Sequence, residues 1–371
     1  MGAEKIWQLS TGEGVTVAVI DSGVEKANPD LRGRVLEGKD FASPAESGNQ
    51  FTDYSGHGTG MAGLIAGTGE RDGGNGAFGL APGVKILPLR VPGLEGGDVS
   101  MDQASEDFNR TVPQAITYAA DAGAKVINVS LGNRKGSPAL TDAVKYALDK
   151  GALVFASVGN TGDKGNAVEY PGATPGVVGV GAVDQKLTRI PTSQHGRQVD
   201  IVAPGKDMVH ACGGGTGVCK SSGTSDATAL ASAAAALVWS KHPDWTNNQV
   251  LKVMLNTIAG PVGGDKRSDF IGYGAIRPLR MLKTPGDPGP ADVRPIEDLA
   301  EAEPATATPS GPGTPTSTDP GPVETTVAPA PAPQAAADEG GNTGLWIGLG
   351  IGAVVLVGAA IAVPVLRSRR S

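Results

Sequence analysis

The sequence predicts an α/β fold: a central parallel sheet with helices on both faces, three layers in all. Two observations carry this. Near-continuous apolar runs of strand length recur along residues 1–285, and helical stretches ending at glycine separate them. A third observation concerns placement. Asp21, Ser130 and Asn160 stand at or near the carboxyl ends of such runs, where open parallel sheets collect functional groups.

The first run is "VTVAVID" (Val15–Asp21), a buried strand that ends in an acid. "VKILPLRV" (Val84–Val91), "AKVINVSLG" (Ala124–Gly132), "ALVFASVGN" (Ala152–Asn160), "VVGVGAV" (Val177–Val183) and "VDIVAPG" (Val199–Gly205) follow. Strands covered on both faces need no apolar/polar alternation, and these show little. Between them lie helical patterns such as "TVPQAITYAADAG" and "SPALTDAVKYALDKG".

The 56 glycines and 28 prolines are too many for one uniform domain. Thirteen of the prolines fall between Pro285 and Pro333. Residues 286–341 hold ten acids against one base, Arg294, and no aromatic residue occurs between Tyr273 and Trp346. Such a stretch has little to bury, so 286–344 is expected to be a disordered linker. After it, "LWIGLGIGAVVLVGAAIAVPVL" (Leu345–Leu366) runs 22 residues without a charge, enough to cross a hydrocarbon core. The tail at 367–371, "RSRRS", places the C-terminus in the cytoplasm and residues 1–344 outside. A single-pass protein of the cell membrane is therefore expected. No Leu-Pro-x-Thr-Gly precedes the apolar run, so it reads as a permanent anchor. Export of the large domain calls for a signal peptide, and none is visible, so an upstream leader is expected.

Taking −9 for the linker and +3 for the tail from the net charge of −7 leaves residues 1–285 near −1. With no basic stripe, nucleic acid is not expected as a partner. The two cysteines, Cys212 and Cys219, bracket a Gly-rich loop, "CGGGTGVC". A metal site would want more ligands nearby. In an external compartment a disulfide is the favoured reading, with two free thiols as the other.

Three motifs carry the chemistry. "VIDSGV" puts Asp21 beside a glycine. "SGHGTGMAGLIAG" puts His57 at a helix start among glycines whose cost to the helix implies close backbone approach. "SGTSDATALASAAAALV" puts Ser225 at the first turn of a helix of small residues, where its own N–H and the helix dipole favour developing negative charge. A serine to attack, a histidine to take its proton and an acid to hold the imidazole are what nucleophilic acyl transfer requires. This chemistry calls for no cofactor.

Together, and in the chain order Asp, His, Ser, the motifs resemble the subtilisin-like serine proteases. The resemblance covers about residues 5–282 and implies a subtilisin-like three-layer fold and a serine endopeptidase. It implies that "NVSLG" supplies the strand that pairs with substrate, with Ser130, Leu131 and Gly132 along it. It also implies that "ASVGNTG" is the oxyanion segment, Asn160 donating its side-chain amide beside the N–H of Ser225. "VEYPGATPGVVGVGAVD" and "VDIVAPG" match the family's later strands. By the same resemblance Glu169, just before the "YP", lines the far end of the pocket for the side chain preceding the cut bond. There it would attract lysine or arginine; the alternative has Glu169 facing solvent and a pocket for small or apolar residues.

The family usually has proline where Ala229 stands and a hydrophobic residue where Asp226 stands. Asp226 would put the acyl-transfer chemistry in a more negative field, or it is simply an acid in a helix's first turn. Linker, anchor and basic tail resemble the mycosins, membrane-anchored proteases of actinobacterial type VII secretion systems. That implies protein or peptide substrates and secretion-channel components as partners. The alternatives are a surface protease without a secretion partner, and a structural channel component with dispensable proteolysis. Calcium sites vary in the family; Asp72 and Asn75 in "GERDGGNGAFG" offer oxygens, but a solvated loop is favoured and no metal ligand is assigned.

Overall fold

The computed structural model describes residues 2–42, 46–92, 100–215 and 217–299, which belong to one compact unit. Its centre is a sheet of seven strands: β1 (Thr16–Asp21), β2 (Lys39–Asp40), β3 (Lys85–Arg90), β4 (Val126–Val129), β5 (Leu153–Ser157), β6 (Val178–Val183) and β7 (Ile201–Pro204). The order across the sheet is β2-β3-β1-β4-β5-β6-β7, and every pairing is parallel. The helices are α1 (Ala3–Trp7), α2 (His57–Ala66), α3 (Met101–Asp121), α4 (Pro138–Asp149), α5 (Thr224–Lys241), α6 (Asn247–Asn256) and α7 (Pro278–Lys283).

The side-chain period of two along each strand separates two cores. Val17 and Val19 of β1 face one, with α2, α5 and α6; Ala18 and Ile20 face the other, with α3 and α4. The α/β, subtilisin-like expectation of a parallel sheet between two helical layers is met. Helix α5 is buried almost all round because its residues from Ala227 to Trp239 are nearly all apolar or small. It runs behind β4, β5, β6 and β7 and packs on α2. Thus the sheet is backed by the helix that carries Ser225 in its first turn.

The structure extends one element of the sequence reading and adds others, among them a hairpin. Helix α3 starts well before its apolar pattern, at Met101, capped by Ser100, whose Oγ accepts from Gln103 N at 3.2 Å. Beyond β7, β8 (Met208–Ala211) and β9 (Val218–Ser221) form an antiparallel hairpin too short to show a period of its own.

The expected start of a disordered linker at residue 286 is corrected. Residues 286–299 lie against α6 and the turn before β6. Asn256 Nδ2 donates to Asp287 O at 2.7 Å, Gln249 Nε2 to Gly289 O at 3.0 Å and Thr246 Oγ1 to Ala291 O at 2.8 Å. Asp298 accepts from Gly176 N at 2.8 Å and pairs with Arg294, and Ile296 is buried. Polar side chains of α6 satisfy this strap's backbone, which composition alone does not reveal. Residues 300–344, the apolar run 345–366 and the tail 367–371 lie outside the described residues. Among the described residues no helix is long and apolar enough to cross a membrane.

Candidate active site

Asp21 is the last residue of β1 and is fully buried. Its Oδ1 accepts from Ser22 N at 2.8 Å and from His57 Nδ1 at 2.7 Å. A carboxylate oxygen can only accept, so Nδ1 carries the hydrogen and Nε2 of a neutral His57 is left as the basic nitrogen. Asp21 and neighbouring charge push the His57 pKa up to about 9 against the lowering effect of burial. His57 opens α2, and the close approach foreseen from its glycines is real. A Cβ on Gly58 would fall 2.1 Å from Gly23 O and 3.0 Å from Asp21 Cβ.

Ser225 sits in the first turn of α5, half-buried. Its Oγ donates to Ser130 O at 3.0 Å, and Ser130 Oγ donates to Ser225 O at 3.1 Å. Behind this pair Asn128 Nδ2 donates to Ser130 Oγ at 3.0 Å, and Ser232 Oγ donates to Asn128 Oδ1 at 3.0 Å. The sheet and α5 are thereby joined by a buried polar network. Asn160, just past β5, is exposed, and its Oδ1 accepts from Thr224 N at 2.9 Å. The amide oxygen is thereby engaged at the residue before Ser225, which leaves Nδ2 as the amide's donor.

Leu131 and Gly132 continue from β4, both half-buried. Glu169 stands against them: a Cβ on Gly132 would fall 2.5 Å from its Oε2. Gln194 Nε2 donates to Glu169 Oε1 at 2.9 Å. Burial raises the Glu169 pKa, opposed by Arg134 and by that hydrogen bond.

Asp226 is 2% exposed, so it presents no surface to substrate. Ser221 Oγ donates to its Oδ1, and burial raises its pKa. Its influence on the site is a field, acting on His57. Cys212 and Cys219 form a disulfide across the end of the β8–β9 hairpin, with Cα atoms 5.1 Å apart. Asn75 Nδ2 donates to Asp72 O at 3.0 Å in an exposed turn.

So Asp21 and His57 are joined, while Ser225, Ser130 and Asn160 cluster at the start of α5. The sequence reading missed Ser22, Asp53, Asn128, Gln194 and Ser232. Asp53, four residues ahead of His57, carried a readable signal as an acid before a helix start.

A parallel sheet with Asp21 at a strand end, His57 at a helix start and Ser225 in the first turn of a buried helix defines a class. Residues 12–274 match the subtilase family, and the chain belongs to it. Among curated relatives, subtilisin E of Bacillus subtilis (strain 168) is 38% identical over 242 residues, 65% of this chain. The alignment spans 59% of that enzyme's length. The subtilisin of Bacillus pumilus is 38% identical over 65% of this chain and 82% of its own. Among solved structures, MycP1 from Mycobacterium smegmatis superposes with a TM-score of 0.68 at 28% identity, covering 78% of this chain and 85% of that one. The MycP3 protease from the type VII (ESX-3) secretion system superposes with a TM-score of 0.65 at 33% identity, covering 76% and 86%. Both are mycosins, the group within the family that the sequence resembles.

Proposed function

We propose that the chain is a serine endopeptidase anchored in the cell membrane, its catalytic domain outside and its C-terminus in the cytoplasm. The 2.7 Å bond from His57 Nδ1 to Asp21 Oδ1, together with a serine in the first turn of a buried helix that packs on the helix of His57, carries the catalytic reading. Asp21 holds the tautomer, so Nε2 takes the Ser225 proton as Oγ attacks the scissile carbonyl. That proton then passes to the leaving amine, and water repeats the sequence to release the acyl group. The Ser225 hydroxyl, bonded to Ser130 O at rest, turns from it to reach His57. Asn160 Nδ2 and the Ser225 N–H receive the oxyanion. Substrate lies along Ser130, Leu131 and Gly132, and Glu169 selects a basic side chain before the cut bond.

Residues 345–366 and the arginines after them support the anchor and its orientation. Likeness to the MycP3 protease, from a type VII secretion system, supports a place beside such a channel with secreted proteins as substrates. Incubating the purified chain with an unfolded protein tests the activity. New peptide termini should appear, and Ser225→Ala should abolish them; equal cleavage by both proteins would refute the mechanism.

A further inference from the structure

Helix α2 begins without a side-chain cap of its own. Its N-cap is Gly56, in the left-handed region at φ 74°, and its first turn contains no acid. The first N–H groups of a helix need acceptors, and its N-terminus favours negative charge. Asp53 supplies both. Its Oδ1 accepts from Gly56 N at 2.9 Å, and its Oδ2 accepts from Thr59 N at 2.8 Å. The carboxylate is 7% exposed, so it has exchanged water for these fixed donors.

The same carboxylate reaches the acid that holds His57. Ser22 Oγ donates to Asp53 Oδ1 at 2.8 Å and lies 3.2 Å from Asp21 Oδ1. Ser22 Oγ also accepts from Gly58 N at 3.1 Å and from Ser55 Oγ at 2.8 Å. One hydroxyl therefore bridges two buried carboxylates, and the bridge is pinned to the residue after His57. Imidazole and carboxylate come from elements far apart in the chain, α2 and β1. Asp53 and Ser22 are what tie those two elements together at the atoms that matter.

We propose that Asp53, acting with Ser22, is a positioning residue that fixes His57 on Asp21 and strengthens it as a base. This rests on the protease reading of the site. Charge reaches His57 from three sides: Asp21 at the end of β1, Asp226 on α5 and Asp53 ahead of α2, each favouring the protonated ring. Of these, Asp53 is the one that also holds the helix. A purely structural cap would support the fold and leave the behaviour of the imidazole untouched, which separates the two roles.

The test is the titration of the His57 ring by NMR in the full chain, compared with Asp53→Asn and Ser22→Ala. It needs no turnover, so it decides the proposal even if the protein proves not to be a protease. His57 should titrate at lower pH in Asp53→Asn. Where peptide hydrolysis is measurable, kcat should fall about tenfold or more with KM within about twofold, as for lost alignment rather than lost binding. Ser22→Ala leaves the bonds from Gly56 and Thr59 in place and should shift the titration the same way by less. It serves as the decisive variant if Asp53→Asn does not fold. An unchanged His57 titration in a folded variant of either kind overturns the proposal, whatever happens to stability. Absent hydrolysis with the expected shift overturns the protease reading and leaves the positioning role standing.

Discussion

Ser225 and Ser130 are clasped in both directions: each hydroxyl donates to the other's backbone carbonyl, at 3.0 and 3.1 Å. The clasp fixes the start of α5 against the end of β4, so the proposed nucleophile and the proposed substrate-pairing strand are set by one contact. Ser130→Ala removes the acceptor of Asn128 Nδ2 and the donor to Ser225 O. Leaving those groups short of partners should cost about 1–3 kcal/mol, measured by denaturant unfolding. A change within a few tenths would show that the network carries little.

Hydrolysis should be favoured by alkaline pH. The general base must be neutral, and Asp21 raises the His57 pKa to about 9, so the acid limb of kcat/KM should lie well above the ordinary histidine range. Asp21→Asn should move that limb down while lowering the rate. Stability should run the other way. The folded pKa lies above the unfolded one, so this pair's contribution is full below about pH 6.5 and is lost as pH rises through about 9. Melting temperature against pH in the wild-type and His57→Ala proteins checks the sign.

The strap at 286–299 should be part of the folded domain. A chain ending at residue 285 loses the burial of Ile296 and the Arg294–Asp298 brace on Gly176. It should be less stable than one ending at 299 by about 2–4 kcal/mol in urea. Added protease should release a domain ending beyond Asp298, not near Leu282.

The residues proposed for the site stand where short-range sequence signals are strongest. Asp21 closes an apolar run, His57 opens a helix of small residues, Ser225 lies in the first turn of another, and Asn160 follows a strand. The supporting groups gave no such signal. Asn128 reads as a polar interruption of β4, and only the packing of α5 shows that Ser232 meets it. Gln194 is far in sequence from Glu169, which it holds. The strap was hidden by its composition: prolines and acids look like linker whether or not α6 offers donors to their backbone.

Side-chain selection should follow Glu169. Its carboxylate lies against Gly132 and is held by Gln194, so a lysine entering there meets a charge-assisted acceptor. Paired peptides with lysine or norleucine before the cut bond should differ by about 10–100-fold in kcat/KM, the range for a hydrogen bond to a charged group. Glu169→Gln should bring the two together. Equal rates in the wild-type protein would mean that Glu169 takes no part in selection.

A fluorophosphonate reacts only with a serine activated by a working base and oxyanion site, so labelling probes the mechanism at Ser225 itself. Mass spectrometry of the labelled full chain should find the adduct on Ser225. Asn160→Ala should slow labelling by about 10²–10³-fold, the usual loss for one oxyanion donor. Ser225→Ala should give none. A wild-type protein that stays unlabelled, or a Ser225→Ala protein that labels as well as wild type, would contradict the account.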